Sequence, residues 1–278
     1  MVNYLYSPKN RSLAFIFTVL LIAFSTGCSR TDLALKFADT FVALEIKDQF
    51  DLSGKQKDKA EEISKNLIVD IKKEFLPLIS AELLKISKEV DSLDPAQAKP
   101  YFSAKAETFR NIGIQFYPIV ARRVPAFAEI LTEKNWKAFK ENFEEKNREI
   151  LSEKTKNSRT TDNLEFFIGS LTPEQEKFVD ELIQRFPRNS SLRAQNRSHS
   201  LNEFEKMMGP FSSENFKKSS LHFLESPRKY QLKDNEEAWL AREKAIIDLL
   251  ESIFKTMTPR QKIHFKEKCV ELSEQFAG

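Results

Sequence analysis

The chain is poor in the residues from which most catalytic and metal sites are built. Only two of its 278 residues are cysteine, Cys28 and Cys269, which excludes the multi-disulfide framework of a small secreted domain. Its three histidines, His199, His222 and His264, have no His or Cys partner at ligand spacing, so no metal site is expected. Glycine is scarce, with six in all, and no phosphate-cradling glycine loop, Gly-x-Ser-x-Gly elbow or His-Glu-x-x-His pair occurs. Carboxylates are numerous, but those such as Glu141, Glu144 and Glu145 stand among Lys137, Lys140 and Lys146 as solvated surface pairs. Neither catalysis nor a cofactor is therefore expected. With 44 basic and 41 acidic residues, neither sign of charge dominates, which leaves no electrostatic case for a nucleic-acid partner. No run of 18 apolar residues occurs, so no segment is expected to span a bilayer.

The longest apolar run, Leu13 to Phe24, contains one polar residue, Thr18, follows Lys9 and Arg11, and ends shortly before Gly27-Cys28. It fits a signal-peptide core and is too short for the roughly 20-residue span of a membrane helix. The string Ser25-Thr26-Gly27-Cys28 looks like a bacterial lipoprotein signal, with a small residue before the cysteine. Cleavage there leaves 251 residues that begin with an acylated Cys28 and are tethered to a membrane by its acyl chains. Ser25 stands where leucine is usual. An ordinary secretory signal is the alternative, and it leaves Cys28 and Cys269 free to bridge. Ser29, rather than Asp, follows the cysteine. Enterobacterial sorting logic then gives an outer-membrane lipoprotein facing the periplasm.

What is abundant is Lys, Glu, Leu and Phe, and the apolar residues recur at helical spacing. The stripes are Leu33-Phe37-Phe41-Leu44, Ile63-Leu67-Ile71-Phe75, Phe102-Phe109-Ile112-Phe116-Val120 and Trp136-Phe139-Phe143-Ile150, then Phe178-Leu182-Phe186, Trp239-Ile246-Leu250-Ile253 and Phe265-Cys269-Leu272-Phe276. Alternating β-branched runs are missing. The expectation is an all-α fold whose stripes face a core, with Cys269 as a small buried hydrophobe.

Four segments share a helix-start pattern: Leu52-Ser53-Gly54-Lys55-Gln56, Leu131-Thr132-Glu133-Lys134-Asn135, Leu171-Thr172-Pro173-Glu174-Gln175 and Met257-Thr258-Pro259-Arg260-Gln261. Each predicts a capping box in which the Ser or Thr oxygen accepts from the amide three residues on. The side chain there reaches back to the capping residue's own amide. The pairs are therefore Ser53 with Gln56, Thr132 with Asn135, Thr172 with Gln175 and Thr258 with Gln261, and the shorter Asn135 is the weak copy. Leu93-Asp94-Pro95-Ala96-Gln97 is a fifth variant, read as a turn because Pro100 follows. Two similar intervals between motifs, from Leu52 to Leu131 and from Leu171 to Met257, flank a shorter one and suggest a duplicated helical unit. Residues 1–27 are the signal, 28–157 an N-terminal helical half, 158–163 a polar linker and 164–278 a C-terminal helical half.

The Leu-Thr-x-x-Gln pattern is similar to that of the Spy and CpxP type periplasmic proteins, all-helical chaperone or stress-sensor modules. Phe50-Asp51-Leu52-Ser53, Glu74-Phe75-Leu76-Pro77 and Gly169-Ser170-Leu171-Thr172 resemble, across nearly the whole mature chain, a family of bacterial lipoproteins of unknown function. Neither resemblance implies an enzyme. Both imply a binding or chaperone-like module with a protein partner or client in the envelope. A structural subunit of an envelope assembly, with one fixed partner, is the alternative.

One stretch stands out by charge. Between Leu182 and Asn202 only Glu181 precedes and Glu203 follows, while Arg185, Arg188, Arg193 and Arg197 carry no acidic neighbour within it. Arg193 and Arg197 are one helical turn apart, so these four are the candidate anion-binding residues. Pro77, Pro118 and Pro125 interrupt periodic stretches and predict kinks or breaks.

Overall fold

The computed structural model describes residues 35–152, 158–186 and 189–277. The signal, Cys28 and Arg188 lie outside the described residues. The chain is all-α, with thirteen α-helices and no strand among the described residues. In chain order the helices are α1 (Ala38–Gln49), α2 (Lys55–Asp70), α3 (Leu76–Glu89), α4 (Ala98–Ile114), α5 (Phe116–Ala121), α6 (Val124–Ile130) and α7 (Glu133–Ser152). They are followed by α8 (Ser158–Ile168), α9 (Pro173–Arg185), α10 (Ser190–Met208), α11 (Ser213–Glu225), α12 (Lys233–Thr256) and α13 (Pro259–Ala277). No helix among the described residues is long and apolar enough to cross a membrane.

Pro77, Pro118 and Pro125 sit where the helical hydrogen-bond pattern changes. A π turn over Ile71–Phe75 joins α2 to α3 just before Pro77, which falls at the second position of α3. Widening the turn removes the need for the amide that proline lacks and eases the clash with the preceding carbonyl. Pro118 lies in the first turn of α5 and Pro125 in that of α6, so α4 to α6 form a chain of short, angled segments. Pro100 behaves differently from expectation. Asp94 caps a 3₁₀ turn over Pro95–Gln97 by accepting from the Ala96 amide at 2.8 Å, and α4 then runs straight through Pro100. A proline in the first helical turn costs nothing there because that amide has no helical acceptor in any case.

The largest core closes the two ends of the chain on each other. Leu67, Ile71, Phe75, Leu76, Ile79, Leu83 and Ile86 from α2, the π turn and α3 are buried together with Cys269, Leu272 and Phe276 of α13. Serines on both helices let α3 and α13 approach closely: Ser80 Oγ donates to the Ser273 carbonyl at 2.7 Å and lies 3.0 Å from the Ser273 hydroxyl. Burial pushes the Cys269 thiol up to about 12, so it stays protonated and packs as an apolar group. Further ties between the halves are the Lys99–Asp248 pair at 2.5 Å and the Arg110–Glu243 pair, both between α4 and α12. The two halves are thus interlocked rather than separate bodies.

Three expectations need correction. Residues 158–163 are the start of α8, not a linker. Its polar first turns precede Leu164, Phe167 and Ile168, which pack against α9 and α12 and hold the helix in place. The Phe37-Phe41-Leu44 stripe faces outward, while Ala38, Val42 and Ala43 are buried. On α12, Trp239 and Ile246 are exposed and the buried line is Ala245, Leu249 and Ile253. Trp239 instead lies beneath two guanidinium groups, Arg228 at 4.8 Å and Arg110 at 5.8 Å from its ring centre.

Candidate functional site

The four helix-start motifs are joined in two pairs, and their amides carry the joint. At the starts of α9 and α13, Gln175 and Gln261 donate to each other's side-chain oxygens, Nε2 to Oε1, at 3.1 and 2.8 Å. Gln175 also donates to the Thr256 carbonyl at 3.2 Å, and Gln261 to the Ser170 carbonyl at 2.9 Å. Each acceptor lies two residues before the partner's capping threonine. The first half has a one-way version of this connection. Gln56 donates to Asn135 Oδ1 at 2.8 Å and to the Ile130 carbonyl at 2.6 Å, and Asn135 donates to the Phe50 and Asp51 carbonyls at 2.9 and 3.3 Å. Asp51 has φ +45°, in the left-handed region that Asp tolerates better than most residues. This common cross-connection supports the duplicated unit that the motif intervals suggest.

Three of the four motifs also cap their own helices. The Thr132, Thr172 and Thr258 amides donate at 3.0 Å to Asn135, Gln175 and Gln261, and their hydroxyls accept the return bonds at 3.2 to 3.4 Å. Asn135 reaches as well as the glutamines, contrary to expectation, because its oxygen needs to span only the tight first turn. Ser53 is the incomplete copy. Its amide donates to Gln56 at 3.2 Å, but the Gln56 amide goes to the Ser53 carbonyl rather than its hydroxyl, and the helix begins one residue later at Lys55. Replacing Thr172 or Thr258 by alanine removes one acceptor from each helix start. Each substitution should lower stability by about 1 kcal/mol in urea unfolding. An unchanged midpoint would contradict the capping role.

The arginines are only partly brought together. Arg185 ends α9 with its guanidinium 5.4 Å from the Phe186 ring centre, apart from the other two. Arg193 and Arg197 share one side of α10, next to the C-terminal half of α7. Arg197 lies over Phe143 at 4.4 Å and donates through Nε to Asn147 Oδ1 at 2.7 Å, while Asn147 Nδ2 donates to Ser198 Oγ at 3.0 Å. No carboxylate among the described residues pairs with Arg193 or Arg197. Burial, with the Arg193 charge adding to it, pulls the Arg197 guanidinium down to about 10. It is still a cation at neutral pH, held where positive charge is disfavoured. A neighbouring anion would relieve that cost.

A shallow, open cleft of about 530 Å³ lies between α7 and α10, with Leu232 also on its lining; Asn147 borders it, whereas Arg193 and Arg197 do not. Asn147, Gln195, Ser198, His199 and Asn202 give it hydrogen-bonding walls, and Leu151 and Ala194 an apolar side. Polar ties from α10 also hold the segment that leads into α12. Asn196 accepts from the Leu232 amide at 2.8 Å, and Ser200 donates to the Tyr230 carbonyl at 2.7 Å. His199 bonds to neither a serine nor a carboxylate among the described residues, and no three His, Cys, Asp or Glu side chains there converge as a metal would require. The arrangement can bind a phosphate or carboxylate through the free guanidinium nitrogens of Arg197, and apolar atoms beside it. Sequence periodicity gave no sign of Asn147, because its partner Arg197 lies fifty residues away. Comparison of the chain with protein-family models, with curated proteins and with solved structures finds no match.

Proposed function

We propose that this protein is a non-enzymatic lipoprotein of the bacterial envelope, anchored through Cys28 and acting as a chaperone-like binding module for clients that carry anionic groups. The observation behind the binding role is the Arg197 guanidinium, which is held against Phe143 and Asn147 of α7 with no carboxylate partner among the described residues. The lipoprotein-like string at Cys28 supports the anchor, and the Leu-Thr-x-x-Gln motifs support the kinship with envelope stress proteins.

The test is aggregation of a chemically unfolded, acidic client protein. The acylated protein should suppress it at near-stoichiometric amounts, and Arg193→Ala/Arg197→Ala should suppress it several-fold less at an unchanged melting temperature. An inert wild-type protein that instead crosslinks to a single constant partner in intact cells would replace this reading with that of a structural subunit.

A further inference from the structure

Helix α1 is built inside out. Its buried face is made of small or paired residues: Ala38, Val42, Ala43 and Glu45, the last joined to Lys146 of α7 at 2.6 Å. Its bulkiest apolar side chains point the other way, with Phe37 at its start 43%, Phe41 46% and Leu44 44% exposed. Steps of four and three residues place these three on one stripe. Single exposed hydrophobics are ordinary on protein surfaces, whereas a contiguous aromatic stripe asks for an occupant.

The stripe is also polarised along the helix. At its N-terminal end the Lys36 ammonium sits 5.9 Å from the Phe37 ring centre, and at its far end Asp48 and Asp51 are exposed. Apolar groups with a cation at the end nearest Cys28, with Asp39 off the stripe and Asp48 at the far end of the same face, suit an interface of acyl chains and phosphate headgroups met at the N-terminal end of the helix. Eight residues lie between Cys28 and Phe37. Even fully extended they reach only about 30 Å, so acyl chains on Cys28 hold the stripe at high local concentration beside the bilayer.

We infer that the exposed face of α1, Phe37, Phe41 and Leu44 with Lys36 at its edge, lies in the headgroup region of the membrane and fixes the orientation of the protein on it. The inference rests on the anchored reading above, and the two can fail separately. The face is a second membrane contact made by the folded protein itself, beyond a flexible tether.

The experiment uses the full-length protein expressed in a bacterial host and reconstituted into phosphatidylethanolamine–phosphatidylglycerol vesicles that contain a diazirine phospholipid. Trypsin cuts after Lys36 and Lys47, so the stripe is isolated in the single peptide Phe37–Lys47, apart from the anchor. Lipid adducts are expected on that peptide, falling at least tenfold in Phe37→Ser/Phe41→Ser/Leu44→Ser with the urea midpoint unchanged. Intact mass reports acylation independently. An acylated protein with adducts confined to residues 28–36 overturns the docking inference and leaves the anchor standing. An unacylated protein with adducts on Phe37–Lys47 removes the anchor and keeps the docking face, and one without adducts removes both. A dimer that the triple substitution dissociates, without lipid adducts, assigns the face to a second copy and also overturns the inference.

Discussion

Replacing Gln175 by leucine is expected to destabilise the protein by about 3–5 kcal/mol, several times the effect of losing a capping threonine. Gln175 is 0% exposed, yet it is bonded at every polar atom of its amide. Leucine has a similar volume, so packing is nearly kept and the loss is electrostatic. The Thr172 amide, the Thr256 carbonyl and both the oxygen and the nitrogen of the Gln261 amide each lose a partner in a site that water reaches poorly. Each such orphan costs about 1–3 kcal/mol. The same reasoning predicts strong coupling. Gln175→Leu/Gln261→Leu should cost clearly less than the two single substitutions together, because neither amide then remains to be left unpaired. Additive effects, or a loss below about 1 kcal/mol for Gln175→Leu, would show that the paired amides are incidental to the fold.

The second large effect is expected at the far end of the chain. Phe276→Ala, two positions from the C-terminus, should lower stability by about 3–5 kcal/mol, although chain ends usually tolerate change. Phe276 is 1% exposed and belongs to the core formed with Phe75, Leu76 and Ile79, some two hundred residues earlier. Alanine would leave a ring-sized cavity between α3 and α13, where the Ser80–Ser273 contact already fixes the helix spacing and limits collapse. Ile263 on the exposed side of α13 serves as the control, and Ile263→Ala should change the urea midpoint little. Equal effects at the two positions would mean that α13 does not close the N-terminal core.

Much of the local structure was legible in the residues. The Thr-Pro-x-Gln strings mark the starts of α9 and α13 at Pro173 and Pro259, and Pro77, Pro118 and Pro125 mark the disturbed turns. The stripes Ile63-Leu67-Ile71-Phe75 and Cys269-Leu272-Phe276 do face the core. Others did not follow their pattern. Phe37, Phe41 and Leu44 have the same periodicity as those buried lines, and Trp239 and Ile246 belong to a stripe of the same kind, yet all five are exposed. Periodicity reports that a helix has an apolar side. It does not report what covers that side. The candidate anion site was visible only as a charge imbalance around Arg193 and Arg197, since Asn147, Phe143 and the cleft wall come from a different helix.

Capping boxes form between residues three apart, and a proline acts on the turn that contains it. The sequence by itself therefore determines the all-α class and the starts of α7, α9 and α13, since those interactions close within a few residues. Tertiary structure alone decides that Gln56 meets Asn135, that Gln175 meets Gln261, that α13 fills the N-terminal core and that α1 turns its phenylalanines outward. Those outcomes depend on where the chain returns after 79, 86 or some two hundred residues. A donor or an apolar side chain can take any complementary partner brought within reach, and only the packing of the whole chain selects which one arrives.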